Sequence, residues 1–184
     1  CGTPLDISCT CAPLTEVTDV ARLSKSEMDT AINAGKFIIY HDGQKVKVGR
    51  GVTSLITTTE TTGDAYKKIK VVDTICAIKT TLQRTIQDEY IGKYPNTYDN
   101  KCVLITAINN YFVSLEQDNV LQSGTSSVAI DLDAQTKYLK SNGYDVENMS
   151  EDEIKMANTG SKVFLMASIR ILDAIEDIDL YITI

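Results

Sequence analysis

Two stretches, "AYKKIKVVDTICAIKTTLQRTIQDEY" and "TYDNKCVLITAINNYFVSLEQDN", carry apolar residues at helical spacing with only "IGKYPN" between them. In the first, Ile69, Val72, Cys76, Leu82, Ile86 and Tyr90 fall on one stripe; in the second, Tyr98, Cys102, Ile105, Ile108, Phe112 and Leu115 do. Each stretch is therefore expected to be a long amphipathic helix. Asp64 is the expected cap of the first, and Gly92 and Pro95 end it. So short a connection places the helices near each other, and a further layer has to cover their apolar stripes.

The rest of the chain supplies strands for that layer. In "KFIIYHDGQKVKVGRGVTSL", Phe37 to Tyr40 read as a strand, Asp42-Gly43 as a turn, and Val46 and Val48 alternate with Lys45 and Lys47, which predicts a hairpin. Before it, Ser24 and Glu27 form a capping box and Gly35 a stop around a short helix whose inward face is Met28, Ala31 and Ile32. After the long helices, "SSVAIDLDAQTKYLKSNG" reads as a short strand and a helix capped by Asp133 and stopped by Gly143, and Ser150 with Glu153 opens another helix. The period then becomes two. Val163, Leu165, Ala167, Ile169 and Ile171 share one face, and Ile178, Leu180, Ile182 and Ile184 share another, with Asp177, Asp179, Tyr181 and Thr183 opposite. These two runs make an antiparallel pair if the chain reverses near residues 173–176. No glycine or proline marks a tight turn there, so a longer bend, or departure of the last run toward another chain, stays open. The expected class is α+β: a two-layer α/β sandwich with a mostly antiparallel sheet packed against two long helices.

A chain of 184 residues with 43% hydrophobic and 23% charged residues is sized and composed for one globular domain with a real core. Its formal net charge of -7 disfavours nucleic acid and anionic membranes as partners. There is neither an apolar run of about 20 residues nor a basic start leading into an apolar stretch, so membrane insertion and a secretory leader are not expected. The chain opens on Cys1, which suggests processing, an artificial start or a piece of something longer. Residues 1–23 have no sustained period and read as an irregular lead-in. Cys1, Cys9 and Cys11 crowd that segment, where a reduced state is a simpler reading than half of a zinc site. Cys76 and Cys102 are expected to be buried thiols.

Chemistry-bearing motifs are weak. His41, the single histidine, sits beside Asp42 at the hairpin tip without a recognisable nucleophile. Gly49 and Gly51 follow a strand, but their spacing fits no phosphate-binding loop, and a simple bend is expected. Asp131, Asp133 and Glu151 to Glu153 coincide with helix starts, where negative charge is favoured. No catalytic, metal-binding or cofactor-binding residue is assigned. Lys67, Lys68 and Lys70, with Lys45, Lys47 and Arg50, suggest a basic face, and Glu176, Asp177 and Asp179 an acidic strand. Opposite faces of this kind suit self-association, with Arg50, Lys67, Lys68 and Lys70 as intersubunit charge contacts.

Taken together, "HDGQKVKVGRGVTSL", "IQDEYIGKYPNTYDNKCVLITAINNYFVSLEQDNVL" and "ANTGSKVFLMASIRILDAIEDIDLYITI" resemble the C-terminal half of the tail sheath proteins of contractile phages and phage-like particles. The likeness covers roughly residues 24–184 and is nearest to the myovirus and defective-prophage type of low-GC Gram-positive bacteria. It implies a non-enzymatic virion tail subunit, assembled in the host cytoplasm, that stacks as hexameric rings and contracts to drive a tube through a cell envelope. The implied partners are further copies of itself, the tail tube protein, and baseplate and tail terminator proteins. It also implies that residues 24–184 are the sheath C-terminal domain and residues 1–23 a lead-in or a junction with a preceding region. Residues 174–184 become a terminal arm, in which Glu176, Asp177, Ile178, Asp179, Leu180, Tyr181, Ile182, Thr183 and Ile184 pair with a neighbouring subunit's sheet. The other reading of the residues is a small adaptor domain whose exposed edge strand recognises a different protein.

Overall fold

The computed structural model describes residues 4–59 and 63–183, so Cys1 and Ile184 lie outside the described residues. The fold is mixed α and β, with five α-helices and two antiparallel strand pairs among the described residues. It divides into two compact units, residues 1–78 with 173–184 and residues 79–172.

In the first unit, α1 (Lys25–Asn33) opens on the expected capping box. Ser24 accepts from the Glu27 N–H, and the Glu27 carboxylate accepts from the Ser24 N–H at 2.8 Å. Strands β1 (Ile39–His41) and β2 (Val46–Val48) form the hairpin, with Ile39 opposite Val48 and His41 opposite Val46. Asp42 Oδ1 accepts from the Gln44 and Lys45 N–H groups, and Gly43 takes φ +104°, so the turn is built by the residues expected of it. Val46 and Val48 point into the core. The lead-in runs along β2: the Cys11 and Leu14 N–H groups donate to the Val48 and Val46 carbonyls, and the Val48 N–H donates to Ala12.

Helix α2 (Ile69–Glu89) starts at the first residue of its apolar stripe, later than the expected Asp64 cap places it. Asp64–Lys67 form a separate 3-10 turn, and Lys68 is extended and bridged to Val52, so Asp64 does not cap α2. The face α2 buries in the first unit is Lys70, Val71, Thr74 and Ile78, and Cys76 is exposed. The expected stripe is thus rotated in the first half of the helix, where Thr74 satisfies its own hydroxyl on the Lys70 carbonyl and tolerates burial.

The second unit contains the later half of α2, α3 (Tyr98–Gln117), β3 (Ser127–Ile130), α4 (Leu132–Ser141), α5 (Glu151–Met156) and β4 (Leu165–Ser168). Thr97 caps α3 by accepting from the Asn100 N–H, and Ile108, Phe112 and Leu115 of the predicted stripe are buried, while Cys102 is half-buried. Asp131, not Asp133, caps α4. Ser150 and Glu153 form the second capping box, at α5. Val120, Leu121, Val128, Ile130, Leu139 and Ile154 complete the core, and the buried Gln135 Nε2 donates to the Ile154 carbonyl.

Strand β4 pairs antiparallel with β3, Ser127 opposite Ser168 and Ile130 opposite Leu165, and Leu121 bridges Ile171 further along. Among the described residues, 163–171 do not pair with the last run, and of the two arrangements left open the internal pair is not formed. The backbone groups of β4 are met by β3, which lies between the second long helix and α4 in the chain. Residues 173–183 form no strand.

Candidate functional site

In the first unit, the last described residues follow a polar clasp. Glu176 Oε1 accepts from Ser8 Oγ and Thr10 Oγ1, each at 2.7 Å, and Glu176 Oε2 accepts from Arg50 Nε at 3.2 Å. The Arg50 guanidinium also bonds the Asp177 carboxylate, and Lys68 Nζ pairs with Asp173 at 2.8 Å. The Glu176 side chain is 11% exposed. Burial pushes its pKa up, but the bonds from Thr10, Ser8 and Arg50 together outweigh burial, and the carboxyl lies below its ordinary value.

The glycines of "VGRGV" serve this clasp by close approach. A Cβ on Gly51 would lie 2.9 Å from Cys9 Sγ and 3.3 Å from Ser8 Oγ, and one on Gly49 would lie 2.8 Å from Ile38 Cγ1. The Gly51 N–H donates to Thr10 Oγ1 at 3.0 Å. Arg50 is thereby presented between two positions where a Cβ would force the Ile38 or Cys9 side chain to shift. Cys9 is buried, and that burial raises its thiol pKa, which favours the unreactive thiol form.

Beyond the clasp the chain is bare. Ile178 is 81% and Tyr181 92% exposed, and Leu180 and Ile182 are likewise exposed. Among the described residues Asp179 has no hydrogen-bond or ion-pair partner. Of the charge contacts expected between subunits, Arg50 is engaged within the chain, Lys67 pairs with Asp64, and Lys68 with Asp173. Lys70 is 7% exposed, so it is not part of an exposed basic face. The sequence reading missed Ser8 and Thr10, whose partner is far away in the chain.

In the second unit, a cavity of about 690 Å³ lies against the start of α3. Tyr90, Ile91, Tyr94 and Val163 give it apolar walls, and Asn96 and Lys101 line it too. Asn96 Nδ2 donates to the Thr159 hydroxyl and the Gly160 and Lys162 carbonyls, which fixes the 159–162 loop as one wall. Lys101 is 3% exposed and, among the described residues, has no side-chain partner. Burial alone lowers its pKa. Nothing in the sequence distinguishes Lys101 from an ordinary polar residue in the first turn of a helix.

His41 Nδ1 accepts from the Gly43 N–H at 2.9 Å, a bond that serves the turn. Among the described residues no group of three or more His, Cys, Asp or Glu is placed to hold a metal ion, and no helix is long and apolar enough to cross a membrane.

Among the described residues, then, no further strand joins the β3–β4 pair, and residues 178–183 are exposed beyond a segment held at Glu176. Residues 61–184 match the phage tail sheath C-terminal domain, and the chain belongs to that family. Among individual proteins, the tail sheath protein of Clostridium phage phiCD119 is 38% identical over 179 residues, which is 97% of this chain and 50% of the relative. This chain therefore spans about half the length of that relative. In fold it is similar to a chain of the anti-feeding prophage baseplate, with TM-score 0.70 and 20% identity over 97% of this chain and 45% of that one. It is also similar to a sheath tail protein of Desulfitobacterium hafniense, with TM-score 0.62 and 21% identity over 71% of this chain and 32% of that one.

Proposed function

We propose that this chain is part of a structural subunit of a contractile tail sheath, one that polymerises as stacked hexameric rings around a tail tube and shortens to drive the tube through a cell envelope. The observation that carries the reading is the segment from Ile178 to Thr183, apolar on alternate residues, exposed, and fixed at its root by Glu176. An unpaired extended segment of this kind is stabilised by adding to the edge of another copy's sheet, where its N–H and C=O groups are met. The pair β3–β4 supplies such edges, because no further strand joins it among the described residues. Burying Ile178, Leu180 and Ile182 contributes about 5–8 kcal/mol before ordering costs, enough to hold a joint but not to fuse it.

In this reading Glu176 to Ile184 form the intersubunit strand, and residues 24–184 act as the sheath C-terminal domain. The clasp fixes where the segment leaves its own subunit, so rings can change spacing by bending the exposed connection while the strand stays paired. The role is mechanical and needs no catalysis. The tube, baseplate and terminator proteins are the partners such a particle offers, and the tail of a phage-like particle assembled in the bacterial cytoplasm is its location.

Electron microscopy of the full-length protein, alone and after deletion of residues 176–184, tests this. Hollow tubes that are lost on deletion, while the subunit keeps its circular dichroism and a cooperative thermal transition, are the expected result. Normal tubes from the deleted protein would refute the joint.

A further inference from the structure

Lys101 is placed at odds with its surroundings three times over. It sits in the first turn of α3, where the helix dipole disfavours a cation. It is 3% exposed as a residue and lines the open cavity. It has no counter-charge among the described residues, and burial is the one influence on its titration. A largely buried lysine without a counter-charge is costly to the isolated subunit. The cavity it lines has apolar walls and room for more than one side chain.

The converse deficit lies on the exposed segment. Glu176 and Asp177 are occupied by Arg50, which leaves Asp179 as the one carboxylate among residues 178–183, and it is unpartnered among the described residues. In an extended chain Asp179 and Tyr181 share a face, opposite Ile178, Leu180 and Ile182. A segment with a carboxylate and an aromatic ring on one face complements a cavity with an ammonium and two tyrosines.

We propose that the Lys101 cavity of one copy receives Asp179 of a second copy, with Tyr181 entering beside the tyrosine walls. This rests on the strand-donating reading above and names where the donated segment is read out. Position supports it: the cavity reaches Val163, and β4 begins at Leu165. A strand laid along β4 therefore passes the cavity within about 7 Å, two residues at ~3.3 Å each. The pair sets register as well as affinity, because a slip of one residue would point Asp179 away from Lys101 and leave both charges alone.

The test is a charge exchange in the full-length protein, read as the concentration needed to form tubes. Lys101→Glu and Asp179→Lys should each raise that concentration at least about tenfold, and the double variant should return to within about threefold of the original. Lys101→Met guards against a folding defect. Its thermal midpoint should equal or exceed the parent's, because an unpaired buried charge is removed, while assembly is weakened. Carbodiimide treatment of tubes built from isotope-labelled and unlabelled subunits should yield mixed-isotope peptides joining Lys101 to Asp179. A double variant no better than the singles, a Lys101→Met protein that assembles normally, or Lys101 joined to a different carboxylate would overturn the proposal. Loss of tubes on deleting residues 176–184 together with a failed exchange would remove the Lys101 pairing and leave the strand joint standing. Tubes that survive the deletion would remove the joint itself.

Discussion

Replacing Glu176 with alanine takes one acceptor from two hydroxyls and one counter-charge from Arg50. A hydrogen bond to a charged group contributes about 1.5 kcal/mol at the low end of its range. The Ser8 and Thr10 bonds therefore total about 3 kcal/mol, and the Arg50 pair adds little because its guanidinium is a third exposed. Local opening of the clasp should become more frequent by about two orders of magnitude. Two amides report it directly, since the Thr10 N–H donates to Ser8 Oγ and the Gly51 N–H to Thr10 Oγ1. Hydrogen exchange should accelerate about a hundredfold at both, while the Asp131 amide, bonded to the Phe164 carbonyl in the other unit, stays as it was. Glu176→Gln keeps an acceptor for the hydroxyls but loses the charge, and an acceleration of about tenfold is expected. If Glu176→Ala changes exchange at Thr10 and Gly51 by less than about threefold, the clasp does not hold the segment and the reasoning is wrong.

Further outcomes follow from the same geometry. Because the Glu176 carboxyl titrates below its ordinary value in the folded state, its contribution is complete above the unfolded pKa of about 4.3 and fades as pH falls through the lower folded value. Protection of Thr10 and Gly51 relative to Asp131 should thus be flat from pH 7 to 5 and decline below about pH 4. Phe112, 1% exposed, should cost about 3–5 kcal/mol on change to alanine, measured by denaturant unfolding. Gly35 has φ +69° and its added Cβ would meet the Ser54 carbonyl carbon at 3.1 Å, so Gly35→Ala should destabilise by about 1–2 kcal/mol in the same assay.

Local devices were readable before any coordinates. The two capping boxes, the Asp42-Gly43 turn and the Ile108, Phe112 and Leu115 face each depend on residues within a few positions of one another. The clasp was not, because Ser8 and Glu176 lie 168 positions apart and a serine in an irregular segment carries no sign of its partner. Strand pairing failed for a related reason. Residues 163–171 and 176–184 both alternate, but alternation reports which side chains share a face and is silent about which strand lies alongside. The first half of α2 misled because burial there includes Lys70 and Thr74, which a stripe drawn from apolar residues leaves out. Lys101 was invisible because its significance is the absence of an anion around it, a property of the folded surroundings alone.

Anchoring at Glu176 also sets a leash length. From Ile178 to Thr183 the chain spans about 20 Å when taut. In the proposed joint, two molecules could separate only within that reach, and further travel would have to strip the paired segment or break the carboxylate grip at its root.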